Sequence, residues 1–119
     1  MNDKFSQRWQ ICDTANPETV VVIPQFSRMD LTTCEEAEAV LRPLLNQGKK
    51  YLLLDLSRVS MMDSCIMGTL VEIYRALSGR GALGLCHVNP NILRVLSLTR
   101  LNEVFRVYEN REAGLEDLA

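Results

Sequence analysis

Strand-like patterns of hydrophobic residues recur along the chain. Trp9 and Ile11 alternate with polar neighbours, and a β-branched run at residues 19–23 follows a turn-forming segment, so the two predict an opening hairpin. Pro24 cannot donate a ladder hydrogen bond, so the second strand is expected to end or bulge there. Residues 50–56 are almost continuously apolar, which is typical of a strand covered on both faces in mid-sheet. Two further strands are predicted at residues 82–88 and 104–108.

Two longer amphipathic helices are predicted between these strands. Thr33 and Glu36 stand at capping-box spacing, and the apolar residues after them recur at helical spacing until Gly48. Pro43 lies inside this helix and is expected to kink it or end it early. The second helix is predicted over about residues 64–78, before a Gly-Arg-Gly turn. The residues expected on the buried faces are Ala37, Val40, Leu41, Leu44 and Leu45 in the first helix, and Ile66, Leu70, Ile73 and Leu77 in the second.

Two shorter helices complete the pattern. Asn89 and Pro90 form an N-cap and a first-turn proline for a helix through Leu96, and Leu115 and Leu118 mark a last helix. The order of elements is therefore ββαβαβαβα. This order predicts an α/β fold with a mixed central sheet, in which the N-terminal hairpin is antiparallel and crossover helices join parallel strands. Since no linker or repeat divides the chain, we expect a single domain over residues 1–119 with about four helices.

The charge balance disfavours several classes of partner. Lys and Arg number 13 against 15 Asp and Glu, which gives a formal net charge of −2, and no long block of one sign is present. Nucleic acid is therefore not an expected partner. The longest apolar stretches fall far short of the roughly 20 residues of a membrane helix, and the first residues lack an apolar signal core. We expect a cytoplasmic chain without membrane insertion.

Few residues are available for metal binding or covalent chemistry. A single histidine excludes machinery built on several imidazoles, and Cys12, Cys34, Cys65 and Cys86 form no CxxC pair. A zinc site or a disulfide framework is therefore not expected, nor is a bound cofactor. Residues 79–84 match GxGxxG in letters. They follow a helix and enter a strand, however, whereas a dinucleotide-binding turn runs from strand to helix.

Cys65 offers one route to covalent chemistry. It lies near a predicted helix start, where a thiolate is favoured, and His87 is available as a base. A redox sensor or enzyme using Cys65 is therefore an open alternative. A small apolar cysteine packed against the sheet is the simpler interpretation.

The loop between the buried strand and the second helix is the most informative segment. Asp63 or Ser64 is expected to accept hydrogen bonds from the first free N–H groups of that helix. Met61 and Met62 are flexible apolar residues near the carboxyl end of a parallel strand, where open α/β sheets usually place their working surface. Ser64 stands where a phosphate would meet the positive end of the helix dipole. A phosphoryl group there would be tolerated by the domain but not by a docked partner, which suits a binding switch.

The sequence Asp-Ser-Cys-Ile-Met-Gly at residues 63–68 resembles the Asp-Ser-Ser-Gly-Leu-Gly signature of STAS domains, typified by bacterial anti-sigma factor antagonists. Supporting features cover nearly the whole chain. They are the hairpin, Asp30 in the loop before the first helix, the Leu-Leu-Asp-Leu-Ser run at residues 53–57 and the Leu-Thr-Arg-Leu run at residues 98–101.

The resemblance implies a small cytoplasmic binding module that regulates transcription and has no enzymatic activity. Its implied partner is an anti-sigma factor that is also a serine kinase of the histidine-kinase-like ATPase type. The unphosphorylated antagonist binds this kinase, phosphorylation ends the binding, and a phosphatase resets the system. By this resemblance Ser64 is the phosphorylation site, and Asp30, Asp63, Ser64 and Cys65 form the partner-binding surface.

The chain departs from the family pattern at three positions. Cys65 replaces the second serine of the signature, Ile66 replaces a glycine, and Arg100 stands where the family often has glycine. Ile66 is expected to lie beside the acceptor serine, and either to bury part of that serine or to narrow a kinase's approach. Arg100 is expected to be strained if its backbone adopts a positive φ.

A second interpretation keeps the fold without the phosphorylation. The chain would then be a STAS subunit stably bound to another protein, such as the ATPase of an ABC transporter. Ile66 and the neighbouring methionines would provide the apolar centre of that contact.

Overall fold

A computed structural model describes residues 8–118, and it contains the predicted strands and helices together with two short additional strands. The helices begin and end close to the predicted positions, and the strand predicted at residues 104–108 is shortened to its last three residues. The elements in chain order are β1 (Trp9–Asp13), β2 (Thr19–Pro24), β3 (Arg28–Met29), α1 (Cys34–Asn46), β4 (Tyr51–Asp55), β5 (Met61–Met62), α2 (Ser64–Ala76), β6 (Ala82–Cys86), α3 (Pro90–Leu98), β7 (Arg106–Tyr108) and α4 (Arg111–Leu118).

The main sheet has five strands in the order β1-β2-β4-β6-β7. The hairpin pair β1–β2 is antiparallel, and every other neighbouring pair is parallel. β4 is the central strand, as its continuous apolar sequence predicts, and β2 ends at Pro24. The mixed α/β fold with an N-terminal antiparallel hairpin is therefore confirmed.

Helices cover both faces of this sheet. In β4 the side chains of Leu52 and Leu54 belong to the larger core cluster, which includes buried residues of α1, α2 and α3. Leu53 points to the opposite face and packs in a smaller cluster with Leu118 of α4. This alternation follows from the two-residue period of a strand, and it explains why residues 50–56 are apolar at nearly every position. No helix within residues 8–118 is long and apolar enough to cross a membrane.

The two strands absent from the sequence interpretation form a separate small sheet. β3 and β5 run parallel, with Arg28 opposite Met61 and Met29 opposite Met62. Two residues are too few to give a periodic pattern, so the sequence does not predict these strands. Their position matters because β5 leads directly into α2, and β3 is followed by the turn that leads into α1.

The start of α1 differs from the predicted capping box. A 3-10 turn at Leu31–Thr33 precedes the helix, and Thr33 bonds back to Asp30 rather than forward into α1. Glu36 instead accepts hydrogen bonds from the side chains of Arg8 and Trp9. The helix also continues past Pro43 to Asn46, so of the two outcomes expected at Pro43, a kink or an early end, the early end is wrong.

The glycine-rich segment at residues 79–84 leads from a turn into a strand, as its sequence context predicts. Residues 79–81 lie between the end of α2 and the start of β6, and residues 82–84 belong to β6. Gly79 has a φ of +73°, and a Cβ added to Gly81 would lie 1.8 Å from the carbonyl oxygen of Lys50. The left-handed backbone at residue 79 therefore favours glycine, and residue 81 has no room for a side chain.

Candidate functional site

The parallel pairing of β3 and β5 brings Asp30 and Asp63 to the same edge of the small sheet. Each aspartate directly follows a residue of the Met29–Met62 pair. The backbone N–H of Asp63 donates a hydrogen bond of 3.0 Å to the carbonyl oxygen of Met29. Two residues that are distant in sequence and that the family resemblance assigns to one surface are thereby adjacent in space.

Asp63 is the residue that caps α2. Its Oδ1 accepts a hydrogen bond of 3.1 Å from the backbone N–H of Ile66, and its own backbone is extended. Ser64 is the first residue of the helix and is exposed. Because the carboxylate of Asp63 satisfies the cap, the hydroxyl of Ser64 is not needed to terminate the helix.

Asp30 organises the turn before α1. Its Oδ1 accepts hydrogen bonds from the backbone N–H of Thr32 at 3.0 Å and from the hydroxyl of Thr32 at 2.6 Å. The guanidinium of Arg28 lies 3.7 Å from its other oxygen. The hydrogen bond from the Thr32 side chain, together with the weaker contributions of the Thr32 backbone and Arg28, holds the pKa of Asp30 below its usual value against the effect of burial. Asp30 is therefore a carboxylate at neutral pH, fixed in orientation.

Cys34 and Cys65 are joined by a disulfide at the same edge, with their Cα atoms 6.5 Å apart. The expectation that the cysteines form no disulfide is wrong for this pair. The two residues are 31 positions apart, and that spacing carries no information about proximity in space. The unpredicted pairing of β3 with β5 places the first turns of α1 and α2 side by side, and this brings the sulfur atoms together.

The apolar residues of the signature segment face inward. Ile66 is completely buried, and Met62 and Met67 are 7% and 5% exposed. Ile66 therefore belongs to the core and does not lie beside the hydroxyl of Ser64 on the surface, which corrects the expectation that it narrows access. The helical period explains this, since Ile66, Leu70 and Ile73 share the buried face of α2.

An exposed leucine that the sequence interpretation missed lies close to the site. Leu31 directly follows Asp30 in the 3-10 turn, and 73% of its surface is exposed. A single exposed leucine does not define a binding surface, but this one places an apolar side chain directly beside Asp30. The signal in the sequence was a lone leucine between Asp30 and two threonines, outside any helical or strand pattern.

His87 does not act with Cys65 in this structure. The sulfur of Cys65 is bonded to Cys34, whereas the imidazole of His87 groups with Asp55 and Cys86, whose potential ligand atoms lie within 4.8 Å of one another. Burial raises the pKa of Cys86 to about 12, so this thiol keeps its proton.

The carboxylate in this group is already engaged. Asp55 is 4% exposed, and it accepts hydrogen bonds from the guanidinium of Arg111 at 2.9 Å and from the Ser57 backbone at 3.0 Å. Burial acts to raise the pKa of Asp55, but the hydrogen bonds from Arg111 and Ser57 outweigh it and lower that pKa. A protonated thiol and a bound guanidinium both work against a metal cation here, so we interpret the group as an ion pair that joins α4 to the sheet.

Arg100 has a φ of +62° and lies in the left-handed region. The strain expected for a side chain at this position is therefore present. Arg100 precedes a 3-10 turn at Leu101–Glu103 and forms no side-chain hydrogen bond to cap it.

Comparisons with known proteins identify the relatives of the chain. The STAS domain model matches residues 12–114. An anti-sigma-B factor antagonist of Staphylococcus aureus is 32% identical over 101 residues, which cover 84% of this chain and 94% of that protein. A Thermotoga maritima protein assigned as an anti-sigma factor antagonist is 33% identical over 75 residues, and the match spans 62% of this chain but only 66% of that protein.

The fold is also shared with solved structures. The crystal structure of an anti-sigma factor antagonist assigned in Thermotoga maritima superposes with a TM-score of 0.80 at 26% identity, and the match covers 92% of each chain. The agreement extends over the sheet and the helices rather than over the signature segment alone.

Proposed function

The chain belongs to the STAS domain family, and we propose that it is an anti-sigma factor antagonist whose binding to its partner is ended by phosphorylation of Ser64. In this proposal the chain acts as one cytoplasmic domain over residues 1–119 and regulates transcription by binding, without enzymatic activity. Asp30, Asp63, Ser64 and Cys65 form the docking surface.

The observation that carries this proposal is the position of Ser64. Its hydroxyl is exposed at the first residue of α2, and Asp63 supplies the helix cap. A phosphate on Ser64 would meet the positive end of the helix dipole, so the domain itself would remain folded. The same phosphate would bring about −1.5 to −2 charges to a surface that already carries two carboxylates. A partner docked over that surface would have to bury the phosphate beside the two carboxylates, and the desolvation cost and the repulsion within the surface would end the binding.

The partner is expected to be an anti-sigma factor, as the names of the relatives indicate for those proteins. We further propose that it is a kinase of the histidine-kinase-like ATPase type, which uses Ser64 as its substrate, and that a phosphatase removes the phosphate. Such a partner would present cationic or hydrogen-bond donor groups to Asp30 and Asp63, and an apolar pocket to Leu31.

The alternative of a non-phosphorylated STAS subunit stably bound to an ABC-transporter ATPase requires an apolar contact made by Ile66 and the neighbouring methionines, Met61 and Met62. Ile66 and Met62 are buried in the core and cannot provide that contact without unfolding the start of α2, so only the partly exposed Met61 remains of the residues that would form it. The alternative therefore lacks the apolar centre that it requires.

The test is a capture experiment with the full chain as bait in a native lysate. The Ser64→Asp variant is compared with wild type and with Ser78→Asp, which makes the same charge change at an exposed residue about 20 Å away beyond the other end of α2. We expect wild type and Ser78→Asp to retain a histidine-kinase-like protein, and Ser64→Asp to lose it while its circular dichroism spectrum is unchanged. Equal retention by all three baits would contradict the proposal, as would recovery of an ABC ATPase alone.

A further inference from the structure

We propose that Cys34 and Cys65 form a reversible oxidation site, at which hydrogen peroxide closes a disulfide and a thiol reductant opens it. The site joins the first turns of α1 and α2 and lies next to Ser64 in sequence. The closing and opening of this disulfide require neither phosphorylation of Ser64 nor a bound partner.

The backbone is arranged for this bond. Cys34 is the first residue of α1 and Cys65 is the second residue of α2. Their Cα separation of 6.5 Å falls within the range of roughly 4.4–6.8 Å seen for disulfides. Both side chains are partly exposed, so small oxidants and reductants can reach the sulfur atoms.

The surroundings favour Cys65 as the thiol that reacts first. Free N–H groups and the dipole at a helix N-terminus stabilise a thiolate, which is the form that attacks peroxide. The first turn of α1 contains Glu35 and Glu36, and their negative charges disfavour formation of a thiolate at Cys34. The first turn of α2 contains no acidic residue, and the carboxylate of Asp63 is bonded to the N–H of Ile66.

The oxidation consists of two balanced steps. The Cys65 thiolate attacks one oxygen of hydrogen peroxide, an S–O bond forms, the O–O bond breaks, and the released hydroxide takes a proton to become water. The Cys34 thiolate then attacks the sulfur of the resulting sulfenic acid, the S–S bond forms, and the hydroxyl leaves as a second water after protonation. Two thiols lose two electrons in total, and one peroxide is reduced to two waters. A dithiol reductant reverses this by thiol–disulfide exchange.

Reduction leaves Cys34 with an alternative contact. Its Sγ lies 3.5 Å from the carbonyl oxygen of Asp30, and a thiol at this position can donate a hydrogen bond to that oxygen. Opening the disulfide therefore replaces a covalent link to α2 by a weak bond within the Asp30 turn. The oxidised chain is expected to hold the Asp30 turn and the start of α2 together more rigidly than the reduced chain does.

The other two cysteines provide internal controls. Cys12 is a free cysteine on β1 with partial exposure, and Cys86 is free but fully buried. Peroxide that reached thiols without selectivity would modify Cys12 at least as readily as Cys65.

The experiment treats the reduced full chain with hydrogen peroxide and maps thiols by differential alkylation and mass spectrometry. We expect a peptide pair cross-linked through Cys34 and Cys65, with Cys12 still alkylated, and full recovery of four thiols after dithiothreitol. The Cys12→Ser variant should behave like wild type. In Cys34→Ser, dimedone should label a sulfenic acid at Cys65. Cross-links between two chains, sulfinic acid at Cys65 with Cys34 still free, or first oxidation at Cys12 would each overturn the assignment.

The structural consequence is measured on wild type alone, so no variant needs to fold. Amide hydrogen exchange at Thr32, Thr33 and Ile66 is compared between the oxidised and reduced chains, since these N–H groups bond to Asp30 or Asp63. We expect exchange to be at least threefold slower at all three in the oxidised chain, while amides of β6 are unchanged. Equal exchange at the three amides would show that the bond does not constrain this surface.

Discussion

The N–H of Asp63 donates a hydrogen bond of 3.0 Å to the carbonyl oxygen of Met29, and this bond joins two segments that are more than thirty residues apart. It extends the β3–β5 pairing to the point where α2 begins. Asp30, the Cys34–Cys65 pair and Ser64 are all placed by this short parallel pairing. Several consequences for stability and binding can be measured.

Asp63 is expected to have two separable roles, as helix cap and as a charge on the docking surface. Asp63→Ala removes the acceptor of the Ile66 N–H and should lower the free energy of unfolding by about 0.5–2 kcal/mol. Asp63→Asn keeps a capping oxygen and should leave stability nearly unchanged. Urea denaturation measures both. If Asp63→Asn destabilises as much as Asp63→Ala, the cap is not the source of the effect.

Gly68 is expected to be needed for binding of the partner and not for the stability of the fold. It lies one turn after Ser64 on α2, and a Cβ there would meet nothing within 4 Å. Gly68→Ala should therefore stabilise the chain by about 0.5–1 kcal/mol, yet weaken capture of the partner because the added methyl group lies beside the docking surface, one helical turn from Ser64. Thermal unfolding and the capture assay measure the two effects. Unchanged capture would show that the partner does not approach this turn of the helix.

Gly81, unlike Gly68, is expected to be needed for the stability of the fold. An alanine Cβ there would lie 1.8 Å from the carbonyl oxygen of Lys50, which also accepts the N–H of Ala82 at 3.0 Å. Because the obstructing atom is backbone, Gly81→Ala should cost about 1–3 kcal/mol in unfolding free energy. A neutral result in urea denaturation would mean that the turn between α2 and β6 can shift freely.

Arg100 is expected to reduce stability through its backbone. At a φ of +62° a residue with a side chain lowers the unfolding free energy by about 1–2 kcal/mol. Glycine removes this strain, but part of the gain is lost because glycine has more conformational freedom in the unfolded chain. Arg100→Gly should therefore raise the unfolding free energy by about 0.5–1 kcal/mol. Arg80→Gly is the matched control, because Arg80 is also exposed but has no positive φ. The same stabilisation in both variants would point to charge rather than to backbone strain.

The Asp55–Arg111 pair is expected to make stability depend on pH. The pKa of Asp55 is lowered in the folded chain, so its contribution is complete above its unfolded pKa of about 3.9 and is lost as the pH falls through the lower, folded pKa. Arg111→Met leaves a carboxylate that is 4% exposed without its guanidinium and should cost about 1–3 kcal/mol at pH 7.

The pH profile separates this loss from a packing defect. The difference in unfolding free energy between wild type and Arg111→Met should shrink as the pH falls from 5 towards 2, because a protonated Asp55 no longer needs a cation. Chemical denaturation at several pH values measures this difference. A constant difference over that range would mean that the ion pair is not its cause.

The long elements could be predicted from the sequence because their patterns are set by local chemistry. The buried face of α2, the cap and proline of α3 at Asn89 and Pro90, and the central position of β4 all follow from spacing and side-chain type. The strain at Arg100 was likewise expected on condition of a positive φ, and the φ is positive.

The site was only partly predictable because it depends on contacts between distant segments. Ser64 and Asp63 could be placed at a helix start from their own neighbours. The disulfide could not be placed, because it depends on the pairing of β3 with β5, which are too short to leave a pattern, and on the packing of α1 against α2. The inward orientation of Ile66 follows from the helical period of α2, whereas the glycine that the family has at this position carries no side chain and gives no indication of direction.

The most direct test of the phosphorylation switch compares the two states of Ser64 in one binding measurement. The full chain is produced with phosphoserine incorporated at position 64, and its affinity for the purified anti-sigma factor is measured by isothermal titration calorimetry beside the unmodified chain. We expect the unmodified chain to bind and the phosphorylated chain to bind at least about tenfold more weakly, which corresponds to about 1.4 kcal/mol, with both chains equally folded by circular dichroism. Equal dissociation constants for the two chains would contradict the account.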